Sequence, residues 1–263
     1  MNKPVTKYLS VTLLCLATII LVGLNNQLVG WPILFLSAFS LLFNHRDFAK
    51  DLIIIHVSVA ILGLTPITTD TSYGHIIEMS LALSAAVALP FIFSKYIYKN
   101  NKVKFQFHHQ RKWYKKEIFY VAVAGLIAYL LLPFYLQNTG AYLNWPSQTD
   151  TSSIIRLFIG TNGLGIWDEL FFICTVLGVL RHHFSFKWAN FFQAIMFSSF
   201  LYELGFTGWG PIMVFIFALT QGYIFKKTES LLYVISIHLT VDLILFLALI
   251  NAHNSALADI FLL

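Results

Sequence analysis

Residues Gly165 to Arg181 read GIWDELFFICTVLGVLR, an apolar run interrupted by two adjacent carboxylates, Asp168 and Glu169. With the residues before it, the run extends from about 153 to 180, and a hydrocarbon core about 30 Å thick needs roughly 20 apolar residues per helical span. The stretch therefore reads as a membrane helix with two acids in its middle. An ionisable group near the bilayer centre costs about 2.5 to 3.5 kcal/mol on insertion scales, so such residues face a protein interior and mark function. That reading sets the fold class for the rest of the chain.

Composition agrees. Of 263 residues, 58% are hydrophobic and 11% charged, with a mean hydropathy of +0.73, against roughly one-quarter charged in a soluble domain. The pattern predicts one integral membrane domain, an all-α polytopic bundle of about eight or nine membrane helices. Candidate spans lie near 8–24, 28–43, 51–66, 76–98, 117–137, 153–180, 188–204, 211–225 and 230–250, the second, third and eighth being short enough to be re-entrant. Residues 1–116 supply the front helices and a basic loop, and 117–263 the core that carries the polar residues. The first span runs through Asn25 and Asn26 without a cleavage site and is read as a retained helix.

Lys and Arg accumulate in loops on the cytoplasmic side. Starting from a cytoplasmic N-terminus, the nine spans put Lys3, Lys7, Arg46, Lys50, the basic residues from Lys95 to Lys116, Arg181, Lys187, Lys226 and Lys227 inside. Arg156 alone falls outside. The loops near 67–75, 138–152 and 205–210, and the C-terminus, are then outside. The net charge of +5 sits in membrane-flanking loops, which fits anionic lipid and not nucleic acid. The segment KNNKVKFQFHHQRKWYKKE, residues 99–117, is expected on the cytoplasmic membrane surface. Cys15 and Cys174 lie in separate spans and read as packing residues, not as a disulfide or metal pair.

Most acids fall in loops or at helix ends, among them Asp47, Asp51, Asp70, Glu117, Asp150, Glu229 and Asp259. Five ionisable residues do not: Asp168, Glu169, Glu203, His238 and Asp242, in the sixth, seventh and ninth spans. At 1.5 Å per residue, Asp168 lies about 18 Å from the inner end of its helix, Glu203 about 23 Å, and His238 and Asp242 about 12 to 18 Å, so they can share a layer. His238 and Asp242 are four apart on one helical face, where the carboxylate can orient the imidazole. Asp168 and Glu169 differ by about 100° around their helix, so one can face a cavity and the other a neighbouring helix. Asn162 and Gln221 can hydrogen-bond within the bundle.

The order of these residues resembles the CAAX-processing and bacteriocin-processing (CPBP, or Abi) family of intramembrane glutamic endopeptidases. Its members carry Glu-Glu-x-x-x-Arg on one helix, Phe-x-x-x-His on the next, and His-x-x-x-Asn or His-x-x-x-Asp on a later one. DELFFI, Asp168 to Ile173, resembles the first motif; FSSFLYE, Phe197 to Glu203, occupies the place of the second; ESLLYVISIHLTVD, Glu229 to Asp242, is similar to the third. The resemblance spans about residues 150 to 250. Asp168 stands where the first Glu belongs, Ile173 where the Arg belongs, and Glu203 where the middle His belongs, with Ser199 in place of its Phe.

The resemblance implies a CPBP-like core and hydrolysis of a peptide bond by a carboxylate-activated water. Asp168 would be the base, Glu169 its partner, His238 the ligand of the water or oxyanion, Asp242 the residue orienting His238, and Glu203 a stand-in for a histidine holding water. A buried carboxylate as base beside an imidazole donor is sound chemistry. No cofactor is implied, although five such side chains would also make an oxygen-rich site for a divalent metal. Expected partners are membrane lipids and a peptide or membrane-protein substrate. The missing Arg and His motivate an alternative, a non-catalytic membrane scaffold that regulates a partner. Intramembrane carboxylates also allow a proton- or cation-coupled transporter, though no paired broken helices of an inverted repeat are seen.

Overall fold

The computed structural model describes residues 3–107, 113–147, 150–254 and 260–261, without the side chains of residues 3 and 4. Asp259, the middle of the basic segment (108–112, with Arg111 and Lys112) and the side chain of Lys3 lie outside that description. Among the described residues there is no strand. In these described residues nine helical rods follow one another: α1 (3–23), α2 (Gln27–Phe43), α3 (Arg46–Leu64), α4 (Tyr73–Ile97), α5 (Lys115–Thr139), α6 (Thr151–Leu180), α7 (Phe186–Glu203), α8 (Gly210–Thr228) and α9 (Leu231–His253). Each expected span coincides with one rod to within a few residues. By length and composition, α4, α5, α6, α9 and the Val5–Gly23 part of α1 can cross a membrane, while α2 is a shorter apolar helix.

Local chemistry sets the helix ends. Asp150 begins α6 by accepting the Ser153 N–H at 3.0 Å, and Ser230 begins α9 by accepting that of Tyr233 at 3.3 Å, each satisfying a donor the first turn leaves unpaired. Gly140, at φ 70°, stops α5 in the left-handed conformation that a residue without Cβ adopts freely. The longest rod, α6, is not a regular α-helix. Immediately after Asp168 it widens into a π-helical stretch, Glu169–Leu177, where the Thr175 hydroxyl donates to the Leu170 carbonyl five residues back at 3.0 Å. Such stretches are rare and cluster at functional sites.

Packing centres on this widened segment. Helix α9 lies against α5 and α6, α7 against α8 and the π stretch, α1 against α2 and α7, and α3 against α4. Phe171, Phe172, Ile173, Val176 and Leu177 are all fully buried, so Ile173, which holds the family's Arg position, is part of an apolar core. Trp167 donates its indole N–H to the Leu83 carbonyl at 2.7 Å, tying α6 to α4 one residue before the carboxylates.

At the Arg181 end of α6, Asp51, one of the acids placed in loops or at helix ends by the sequence, needs more explanation than its position suggested. It is 1% exposed and accepts from Lys102, from His183 at 2.5 Å and from Asn100 at 2.9 Å. A buried carboxylate requires such partners, and here they fasten the 94–103 segment and the 181–184 turn to α3.

Candidate active site

Four of the five expected residues meet. Asp168 and Glu169 come from the start of the π stretch in α6, His238 and Asp242 from one face of α9, and all four are at most 7% exposed. The Glu169 carboxylate contacts His238 Nδ1 at 2.9 Å through Oε1. On the other edge of the ring, Nε2 lies 3.8 Å from Asp168 Oδ2 and 3.7 Å from Asp242 Oδ1. Oε1 also accepts from an amide N–H of Gln221, which fits Nδ1 as a donor to it, and Nε2 is left facing the two aspartates.

The 100° offset between Asp168 and Glu169 behaves as expected, one pointing at neighbouring helices and one into a cavity, yet both reach the same imidazole. The orienting contact expected from Asp242 is made by Glu169 instead. At 3.7 Å, Asp242 is beyond a direct hydrogen bond but well placed to bridge through water.

Gln221 of α8 completes the arrangement. Its amide N–H₂ donates to Glu169 Oε1 at 2.8 Å and to the Val234 carbonyl at 3.1 Å. Sequence reasoning placed Gln221 only as a generic bundle residue, because nothing along the chain links α8 to Glu169. It supplies a neutral donor to the carboxylate from a third helix. The imidazole is walled by aromatics: Phe197 of α7 stacks on it at 5.9 Å and Phe217 of α8 meets it edge-on at 5.0 Å.

Close approach of α6 and α9 depends on Gly165. A Cβ there would lie 1.8 Å from Asp242 Oδ2 and 3.2 Å from His238 Cδ2, so only glycine admits the carboxylate to this position. Asp168, His238 and Asp242 line a cavity of about 30 Å³, enough for a water, which takes two to four polar partners. Asp168 Oδ1 and Asp242 Oδ2 have no hydrogen-bond partner there among the described residues. One imidazole can neutralise at most one of three carboxylates, so protons in this site belong to the cluster and not to a single residue.

Glu203 is not brought into the cluster. It ends α7 half-buried, beside Asn25, and lines neither cavity that His238 touches. The reason is geometric: α7 presents Phe197, six residues earlier, at the level of the imidazole. Among the described residues no group of three His, Cys, Asp or Glu side chains has the geometry to hold a metal ion.

Fold and site together define a polytopic helical membrane protein with a buried carboxylate–imidazole centre. Residues 150–244 match the family model described as type II CAAX prenyl endopeptidase Rce1-like, over the stretch whose motifs resemble the CPBP family and consistent with it. No curated protein and no solved structure matches the chain.

Proposed function

We propose that the protein is an intramembrane endopeptidase of the CPBP type, with Asp168 as its general base. The observation that carries this reading is the convergence of Asp168, Glu169 and Asp242 within 3.8 Å of one buried imidazole, beside a water-sized cavity. Asp168 takes a proton from a water held between it, Asp242 and His238. The water oxygen bonds to the scissile carbonyl carbon, and His238 Nε2, in the protonated ring, stabilises the oxyanion. The proton on Asp168 then passes to the amide nitrogen as the C–N bond breaks.

Glu169 and Gln221 are positioning residues in this scheme: they hold Nδ1 so that Nε2 faces the reacting atoms. The family-model match over 150–244 supports the reaction class. The test offers a peptide library to the purified full chain in liposomes and compares it with the Asp168→Ala and His238→Ala variants. Cleavage lost in both supports the reading; cleavage that survives both overturns it.

A further inference from the structure

The two oxygens of Glu169 keep different company. Oε1 accepts from His238 Nδ1 at 2.9 Å and from Gln221 Nε2 at 2.8 Å, which occupies both of its lone pairs. Oε2 is buried without a hydrogen-bond partner among the described residues, and so are Gln221 Oε1 and Gln193 Oε1. All three side chains belong to residues that are 0% exposed. Where α8 packs against α6 and α7, three acceptors therefore lie short of hydrogens.

Turning the amides does not relieve the shortage. Nε2 of Gln221 already faces two acceptors, Glu169 Oε1 and the Val234 carbonyl at 3.1 Å. Nε2 of Gln193 faces Asn190 Oδ1 at 2.9 Å and the Ala218 carbonyl at 3.0 Å, and Asn190 is itself fixed by donating to the Leu219 carbonyl at 2.8 Å. Exchanging oxygen and nitrogen in either glutamine would set an oxygen against two oxygens, so the partners determine both orientations. An acceptor buried without a donor is costly.

His238 has no hydrogen left for Oε2. Its Nδ1 is spent on Oε1, and Nε2 lies on the opposite edge of the ring, 3.8 Å from Asp168 Oδ2 and 3.7 Å from Asp242 Oδ1. Among the described residues, the ionisable groups within electrostatic reach of Glu169 are Asp168, Cys174, His238 and Asp242, and the imidazole alone of these can carry positive charge. Ile173, four residues on, is fully buried and apolar. Glu169 lines neither cavity that His238 touches. A donor that takes up almost no volume is a hydrogen on Oε2 itself, because a protonated carboxyl offers one O–H and keeps its carbonyl oxygen as an acceptor.

We infer that Glu169 is a neutral carboxylic acid whose Oε2 hydrogen is donated to Gln221 Oε1, so that acid and amide pair edge to edge through two opposed hydrogen bonds. Oε1, with its two donors, is then the carbonyl oxygen and Oε2 the hydroxyl. This deepens the endopeptidase reading and rests on it for what His238 Nε2 does. A neutral acid at Nδ1 fixes the ring without competing for its charge. With the ring protonated, the excess of negative charge among Asp168, Glu169, Asp242 and His238 falls from two to one. The imidazolium charge is left facing the water-sized cavity, where the oxyanion forms.

Infrared spectroscopy of the full chain in liposomes at neutral pH reads the proton directly, since a carboxylic acid has a C=O stretch that a carboxylate lacks. The chain is prepared with and without carbon-13 in the glutamate carboxyls. An acid C=O band is expected that shifts with the label and is lost in Glu169→Gln, whose amide keeps the shape of the neutral acid and both of its hydrogen bonds to Gln221. Glu203→Gln is run beside it, because Glu203 is also half-buried, and should leave that band in place. In Gln221→Leu the band should move to higher frequency, because C=O and O–H both lose their partner, whereas in Gln193→Leu it should stay.

A chain without a label-sensitive acid band, the result a carboxylate served by a water would give, overturns the inference, as does a band that is the same in Glu169→Gln. Should Glu169→Gln fail to fold, the labelled band of Gln221→Leu decides, and a band that does not move there overturns the pairing. Cleavage that survives loss of Asp168 and His238 removes the endopeptidase reading and leaves the band standing, while a chain that cleaves and lacks the band loses only the proton on Glu169, so the two failures are distinguishable.

Discussion

Replacing Gly165 with alanine separates the site's geometry from the stability of the bundle. The new methyl carbon would sit 1.8 Å from Asp242 Oδ2, whereas real Cβ atoms essentially never approach a neighbour closer than 3.0 Å. The carboxylate must therefore move by about 1.2 Å or more. The clashing atom is the end of a side chain that can rotate, so the overpacking cost is expected at the low end of the usual range, about 1 kcal/mol. For catalysis the same movement is large, because misplacing a reacting group by about 1 Å costs on the order of a hundredfold in rate.

Cleavage rate and thermal midpoint, measured side by side in liposomes, should show the rate falling about a hundredfold with a shift of only a few degrees, as about 1 kcal/mol implies for a domain of this size. Gly74→Ala, where the added carbon meets nothing within 4 Å, is the matched control and should change neither. A Gly165→Ala protein that cleaves at the unaltered rate would refute the close packing of Asp242 against α6 as a requirement of the site.

Gln221→Leu removes the amide donor that α8 gives to the buried Glu169 carboxylate, with an expected loss of about 1 to 3 kcal/mol and a fall in kcat larger than any change in KM, read from steady-state cleavage. Phe197→Ala strips the face of His238 and opens a void beside Phe172; about 3 to 5 kcal/mol should be lost, measurable by thermal unfolding in detergent. Glu203→Gln should leave cleavage within about threefold, as expected of a group that touches Asn25 and not the imidazole; a loss of tenfold or more would return Glu203 to the site. Cleavage should persist in excess chelator, because in the proposed scheme a carboxylate, Asp168, activates the water; inhibition reversed by added divalent metal would contradict this.

The helical content and the position of each rod were legible because the apolar runs are long and separated by basic or turn-forming loops, so hydropathy alone counts them. Asp168, Glu169, His238 and Asp242 were legible for a related reason: a charge within an apolar span stands out, and the four-residue spacing of His238 and Asp242 fixes a shared face. Glu203 met the same test and failed in space, because depths counted from each helix's own end are not levels in the bundle: α7 sets Phe197, about 9 Å before Glu203 along the helix, beside the imidazole. Asp51 looked ordinary at a helix end and is buried with Lys102, His183 and Asn100, partners about 50 to 130 residues away that no local pattern connects to it.

What the sequence determined by itself was the solvent of the fold and the candidates for its site: a membrane bundle with four acids and one imidazole within its spans, since their desolvation must be compensated wherever they lie. The tertiary structure decided which acid holds the ring and which two face the cavity. That choice depends on the widened turn after Asp168, on Gly165 admitting Asp242, and on Gln221 arriving from α8. Each is a contact between helices, and contacts between helices follow from how the apolar faces pack, which is a property of the assembled bundle and not of any one segment.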